Sequence, residues 1–330
     1  MPYTVLVTAP RLAGAGVRLL EAANASVHYL PDADSPQALH ALLRALPVDA
    51  VISRTVALTG AAIDACPTLK VISKHGVGVS NIDVAAATAR GIPVYVTPGA
   101  NAQSVAELTL TLMFAAARRV PWMDRELRAG RWSRAQDGVE LQGRTIGLVG
   151  FGQVAQRVAR VCLALGMRVA AFDPALAGAA ARPADVDCCD SLDALLAASD
   201  VASLHVPLTA HTRGLIGAAQ LAAMKPGAIL VNTARGEVVD ETALVAALRS
   251  GRLHAAGLDT MAIEPLPADS PLLALDNVVL TPHVGGSTPA ALDAMASGAV
   301  RNVLGHLQGT PPEPAWCVNP GVLAALRRSA

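Results

Sequence analysis

Three side chains suited to holding an anion and moving a proton follow short apolar runs in the second half of the chain. Arg235 comes after Val231-Asn232-Thr233-Ala234, Glu264 after Gly257-Leu258-Asp259, and His283 after Thr281-Pro282. The carboxyl ends of strands in an open α/β sheet line the ligand crevice. An arginine, an acid and a histidine placed there face one cleft, and the set suits reduction of a ketone that carries a carboxylate. Arginine offers a planar, bidentate fork to the carboxylate. The developing alkoxide needs a proton, which histidine can supply near neutral pH. A carboxylate beside the histidine stabilises its imidazolium form. Each residue also has a plain structural reading: Arg235 as an exposed loop cation, Glu264 as a turn acid before Pro265, His283 as a helix-entry residue. Those readings must all hold at once to defeat the chemical one.

A cofactor signal lies upstream. Ile146-Gly147-Leu148-Val149-Gly150-Phe151-Gly152-Gln153-Val154-Ala155 contains G-x-G-x-x-A between a strand pattern and a helix pattern. Gly150 permits a tight turn, Gly152 lets backbone approach a pyrophosphate, and Ala155 lets helix and strand pack closely. The helix beginning at Gln153 and Val154 aims its N–H groups at the phosphates. Asp173 ends the next strand pattern, where a carboxylate bonds the ribose hydroxyls and repels a 2′-phosphate. This favours NAD over NADP. The alternative is a glycine-rich turn with Asp173 as a cap before Pro174.

Positioning these groups requires a series of strands. In the first part, apolar runs at Val5–Val7, Val27–Leu30, Ala50–Ser53, Leu69–Ser73 and Val94–Val96 alternate with Ala/Leu-rich helical patterns. A second series begins at Thr145, with six strand candidates: Thr145–Val149, Arg168–Phe172, Val201–Leu204, Ala228–Val231, Ala255–Leu258 and Val278–Leu280. This alternation implies parallel sheets with helices on both faces. Between the series, Val105, Leu108, Leu112 and Ala115/Ala116 mark a helix over Asn101 to Arg119. Asn101 and Ser104 are ambiguous: Asn101 reads as the helix N-cap in preference to a substrate role, and Pro121 is expected to end the helix. Trp122 to Gly143 reads as a polar arm, and Pro289 to Leu307 as a helix returning to the first sheet.

Bulk properties narrow the partners. A chain of 330 residues suits two domains. Aromatics are only 3% of residues, so the core rests on Val, Leu, Ile and Ala. Formal net charge is zero, which leaves no electrostatic footprint for nucleic acid or a membrane surface. The five cysteines lack zinc-ligand spacing; they read as reduced, buried thiols in a cytosolic protein, with no metal expected. Met1 to Pro10 reads as a first strand, not a signal peptide. The apolar stretch Leu108 to Ala117 is too short to span a bilayer.

The chain resembles the D-isomer-specific 2-hydroxyacid dehydrogenase family, the phosphoglycerate and glycerate dehydrogenase group. The likeness rests on Gly76-Val77-Gly78-Val79-Ser80-Asn81-Ile82-Asp83, Ser104-Val105-Ala106-Glu107, Gly150-Phe151-Gly152, Asn232 to Leu244, Gly257 to Pro267, and Pro282 to Gly286. It implies an NAD-dependent oxidoreductase acting on a small D-2-hydroxy or 2-keto acid. It also implies an α/β fold of two doubly wound parallel-sheet domains. A Rossmann NAD-binding domain, 101–287, is inserted in a flavodoxin-like substrate domain, 1–100 and 288–330. By resemblance Arg235 orients the acid, His283 is the acid/base and Glu264 pairs with it. Asp259 meets the nicotinamide carboxamide; Val206, Thr233, Ala234 and Gly286 line the cofactor. Backbone at Val77 and Gly78 holds the substrate carboxylate beside Arg235. The family further implies a cytoplasmic homodimer with Trp122 to Gly143 as an exchanged arm. Because the chain runs out at Ala330, no added regulatory domain and no feedback inhibition by serine through one are expected.

Two departures bear on the substrate. Ser80 stands where the family loop often has Asp, and Lys74-His75 where many phosphoglycerate enzymes have Arg-Ala. Arg54, Lys74 and His75 either form a phosphate or sulfonate handle or are solvated surface charges. Hydroxypyruvate or glyoxylate reduction therefore competes with 3-phosphoglycerate oxidation. From another class, NADH-sensing transcriptional corepressors are also relatives; the lack of peptide-docking tails speaks against that reading.

Overall fold

The computed structural model describes residues 2–32, 35–134, 137–176 and 183–324. Residues 135 and 136 of the expected arm, and 325–330 of the expected substrate domain, lie outside the described residues. The chain divides into two compact units, Met1–Asn101 with Ser287–Ala330, and Ala102–Gly286.

The first unit opens with β1 (Thr4–Val7), α1 (Gly14–Ala22), β2 (Ser26–Tyr29), α2 (Pro36–Ala45), β3 (Ala50–Ser53), α3 (Gly60–Asp64), β4 (Val71–Lys74), α4 (Val84–Ala89) and β5 (Val94–Tyr95). Its five strands are parallel in the order β2-β1-β3-β4-β5, the flavodoxin-like doubly wound order. The central strand β3 is buried at every residue, as expected of a parallel strand covered on both faces. Helices α2 and α3 start on Ser35 and Thr59, whose hydroxyls accept from Ala38 and Ala62 N–H.

The second unit runs α5 (Ala102–Ala117), α6 (Val120–Arg128), β6 (Thr145–Val149), α7 (Gln153–Ala164), β7 (Arg168–Phe172), β8 (Asp187–Cys188), α8 (Leu192–Ala198), β9 (Val201–Leu204), α9 (Ala218–Ala223), β10 (Ala228–Asn232), α10 (Glu241–Arg249), β11 (Leu253–Leu258) and β12 (Val278–Leu280). Its seven parallel strands are ordered β12-β11-β10-β9-β6-β7-β8. The run β8-β7-β6-β9-β10-β11 is the dinucleotide-fold order, extended at one edge by β12. The sequence reading found six of these strands. It missed β8, which has two residues and too short a pattern to register.

The helix α11 (Pro289–Leu307) follows the second unit in sequence and belongs to the first. Ala296, Ala299, Val300 and Val303 of α11 share a core with Val5 and Val7 of β1, Ile52 of β3 and Val71 of β4. Past α11, the chain covers the edge of β5: Val96 N–H donates to Trp316 carbonyl and Val318 N–H to Val94 carbonyl. An edge strand is thereby kept from pairing with another molecule.

Two local expectations change. Pro121 sits in the first turn of α6, so it starts a helix instead of merely ending one. The break falls at Arg119, in the left-handed region at φ 51°, with its guanidinium 4.3 Å from the Trp122 ring centroid. The start of the expected arm is therefore helical. Of the five cysteines, Cys66, Cys162 and Cys317 are buried, whereas Cys188 and Cys189 on the β8 edge are only half-buried. No described helix is long and apolar enough to cross a membrane.

Candidate active site

The carboxyl ends of the second unit's strands gather the chemical residues. His283 and Glu264 form the closest pair: His283 Nδ1 lies 2.8 Å from Glu264 Oε2. The other oxygen, Glu264 Oε1, accepts from Met261 N–H at 3.0 Å. Burial alone would raise the Glu264 carboxyl. The hydrogen bond from His283, the Met261 N–H and the charges of His283 and Arg235 outweigh it and hold the group below the usual carboxylate range. An ionised Glu264 fixes the proton of a neutral His283 on Nδ1 and leaves Nε2 to meet a ligand. His283 itself is in the left-handed region at φ 54°.

Arg235 sits beyond β10 on a turn braced by Asn232. The Asn232 carboxamide accepts from Ala234 N–H at 3.0 Å and donates to Arg235 carbonyl at 2.9 Å. A Cβ at Gly236 would fall on the Met261 carbonyl, so this loop is seated directly against the turn that leads to Glu264. Sequence reading gave Asn232 no role; its place immediately before Thr233-Ala234-Arg235 at a strand end was the available signal.

Asp259 is only 1% exposed and its carboxylate is occupied from within. Its Oδ1 accepts from Thr281 hydroxyl at 2.6 Å and Val284 N–H at 2.8 Å, and its Oδ2 from Gly285 N–H at 2.8 Å. The residue expected to meet a nicotinamide thus clamps the His283 loop.

The dinucleotide residues fit their cofactor. Gly150 adopts φ 87°, a region that L side chains rarely enter, and a Cβ there would meet His205 carbonyl and Val206. The Cβ position of Gly152, by contrast, is open space at the start of α7, where Gln153 and Val154 supply the first helical N–H groups. Asp173 holds the turn by accepting from Phe151 N–H at 2.8 Å and Ala175 N–H at 2.9 Å. An ionised carboxylate has acceptor capacity beyond those two bonds. Thr233 is buried with its hydroxyl 2.8 Å from that of Thr109, and Ala234 and Gly286 lie on the flanking loops.

In the first unit, Val77 is 49% exposed on the loop after β4, with Gly78 beside it. Lys74 is not a loose surface charge: its ammonium donates to the Arg54 carbonyl and, at 2.6 Å, to Asn81. His75 is 6% exposed, with Nε2 3.4 Å from Arg54 Nη1. Burial, then the Arg54 charge, push its imidazole down to about 3, so it is neutral and adds no positive charge.

Known proteins are clearly similar to this chain. Residues 110–285 match the model described as the D-isomer specific 2-hydroxyacid dehydrogenase, NAD binding domain. The chain is 44% identical over 273 residues to a D-3-phosphoglycerate dehydrogenase of Archaeoglobus fulgidus, covering 82% of this chain and 52% of that relative. It is 46% identical over 256 residues to a hydroxypyruvate reductase of Thermotoga maritima, covering 76% and 82%. A crystal structure of a Thermus thermophilus protein superposes with a TM-score of 0.86 at 40% identity, over 96% of this chain and 99% of that one. The chain belongs to the D-isomer-specific 2-hydroxyacid dehydrogenase family. It spans about half the length of the curated phosphoglycerate dehydrogenases it matches.

Proposed function

We propose that the protein is an NAD-dependent dehydrogenase of a small D-2-hydroxy acid. The observation that carries this reading is the 2.8 Å His283–Glu264 pair, on strand-end loops of a dinucleotide-type sheet, with Arg235 on the loop seated against Glu264's turn. NAD, when bound, supplies the nicotinamide that exchanges a hydride with the substrate carbon. Arg235 holds the substrate carboxylate by paired N–H bonds. His283 donates a proton to the developing alkoxide in reduction and removes it from the hydroxyl in oxidation. Glu264 stabilises the imidazolium between those steps. Val77 and Gly78 of the first unit are assigned to the substrate carboxylate. Gly150, Gly152, Gln153, Val154, Asp173, Val206, Thr233, Ala234, Asp259 and Gly286 are assigned to the cofactor, Asp259 at the nicotinamide carboxamide.

Hydroxypyruvate or glyoxylate is favoured over a phosphorylated acid by the first unit's charges. His75 is neutral and the Lys74 ammonium is already committed to Asn81 and the Arg54 carbonyl, so of the three only Arg54 carries a charge not spent in these bonds. Consumption of NADH measured against glyoxylate, hydroxypyruvate, phosphohydroxypyruvate and pyruvate tests both readings. Silence across the panel sinks the enzyme; preference for the phosphorylated acid sinks the choice of substrate.

Asp173 sets a second expectation: kcat/KM with NADH exceeds that with NADPH at least about tenfold, and Asp173→Ser narrows the gap. Equal efficiency of the parent enzyme with both cofactors counts against the ribose-carboxylate role. We also infer a homodimer. No residue of α6 is buried, and Val120, Leu127 and Trp132 are 55%, 54% and 76% exposed, an apolar surface that a second copy would cover. A monomer mass in light scattering refutes this. Five unpaired cysteines fit a reducing cytoplasm.

A further inference from the structure

His283 holds a backbone conformation that a non-glycine residue leaves unless its surroundings over-determine it. Three N–H groups of its loop accomplish part of this: His283 N–H bonds the Asp259 carbonyl, and those of Val284 and Gly285 bond its carboxylate, all at 2.8 Å. A further tie comes from another element. Ser104, in the first turn of α5, donates its hydroxyl to Gly285 carbonyl at 2.5 Å. One and a half turns further along, Thr109 reaches the other loop. Its hydroxyl lies 2.8 Å from Val105 carbonyl and 2.8 Å from the Thr233 hydroxyl. Each hydroxyl has one hydrogen. If Thr109 gives its own to Val105, Thr233 must donate inward, and the Thr233 oxygen is left to accept from a ligand. Ser104 and Thr109 are 7% and 1% exposed, so both bonds are shielded from bulk solvent and costly to lose.

We propose that Ser104 and Thr109 are positioning residues that make α5 a common rail for the two catalytic loops, Ser104 setting His283 and Thr109 setting the Thr233–Arg235 turn. The inference rests on the dehydrogenase reading above. It assigns each hydroxyl a different kinetic signature. Loosening the His283 loop misplaces the proton donor after the substrate has bound. Loosening the Thr233–Arg235 turn weakens the grip on the carboxylate.

The experiment compares wild type, Ser104→Ala, Ser104→Thr, Thr109→Val and Thr109→Ser on the 2-keto acid that wild type reduces best. Ser104→Ala is expected to lower kcat about 10- to 100-fold, with little change in the KM for the keto acid, and to move the pH at which kcat/KM falls off. Thr109→Val is expected to raise that KM about tenfold. Ser104→Thr and Thr109→Ser, which keep the hydroxyls, recover most of the loss. Thermal unfolding of each variant separates a folding defect from a kinetic one. Should one alanine or valine variant fail to fold, the other carries the test. Variants that fold and stay within about twofold of wild type in both constants overturn the inference and leave the dehydrogenase reading standing. Losses that the hydroxyl-bearing replacements do not recover overturn it as well. A wild type silent toward every keto acid overturns the reading and this inference with it.

Discussion

His283→Ala lowers turnover by about 10²–10⁴ while NADH still binds. The two parts of this result have separate structural sources. Proton transfer depends on one imidazole, oriented by Glu264 at 2.8 Å and held in its loop by Asp259. Among the groups assigned to the cofactor, the Gly150–Gly152 turn, the start of α7 and Asp173 take their described hydrogen bonds away from His283. Steady-state turnover with the preferred keto acid and a fluorescence titration with NADH measure the two parts independently. Near-normal turnover would falsify the proton-transfer role, and loss of NADH binding would mean that His283 supports the fold of the site instead.

The first unit is expected to lose stability in mild acid because of His75. Its folded value of about 3 lies below its unfolded value near 6.5, so the unfolded chain takes up the proton first. Stability is therefore intact above about pH 6.5 and declines as pH falls toward 3. One proton contributes at most about 1.4 kcal/mol per pH unit, or about 3 kcal/mol by pH 4. His75→Gln keeps a neutral acceptor toward Arg54 but has nothing to titrate. Urea unfolding at pH 7 and pH 4 should show a smaller drop for this variant than for the parent protein. Equal drops would mean that His75 becomes charged without leaving its site. His306 of α11, which burial also pushes down, adds to the decline in both proteins and cancels in the comparison.

The strands were legible because parallel strands buried on both faces write continuous apolar runs. Thr145–Val149, Arg168–Phe172 and Val201–Leu204 stand where the pattern put them. β8 was illegible because Asp187 and Cys188 pair through backbone alone at an edge. The chemical residues were legible for a related reason: Arg235 and His283 follow recognisable strand ends. The support beneath them was not. Ser104, Thr109 and Thr281 act through side-chain bonds to residues up to 181 positions away, and neither spacing nor periodicity encodes such a partner. Asp259 shows the same limit: its three bonds to the His283 loop are not encoded in spacing or periodicity. Lys74 and His75 were undecidable in sequence because their charge and access depend on Asn81 and Arg54.

The core that joins α11 to β1, β3 and β4 also sets an order of assembly during synthesis. Val5, Ile52 and Val71 leave the ribosome early, but Ala296, Val300 and Val303, which cover them, are made only after all of Ala102–Gly286. The second unit has its own sheet and cores and can fold as soon as β12 emerges. Strands β1, β3 and β4 are thus among the last to find their final partners. Until then the apolar face that α11 will cover is open to chaperones and to other nascent chains.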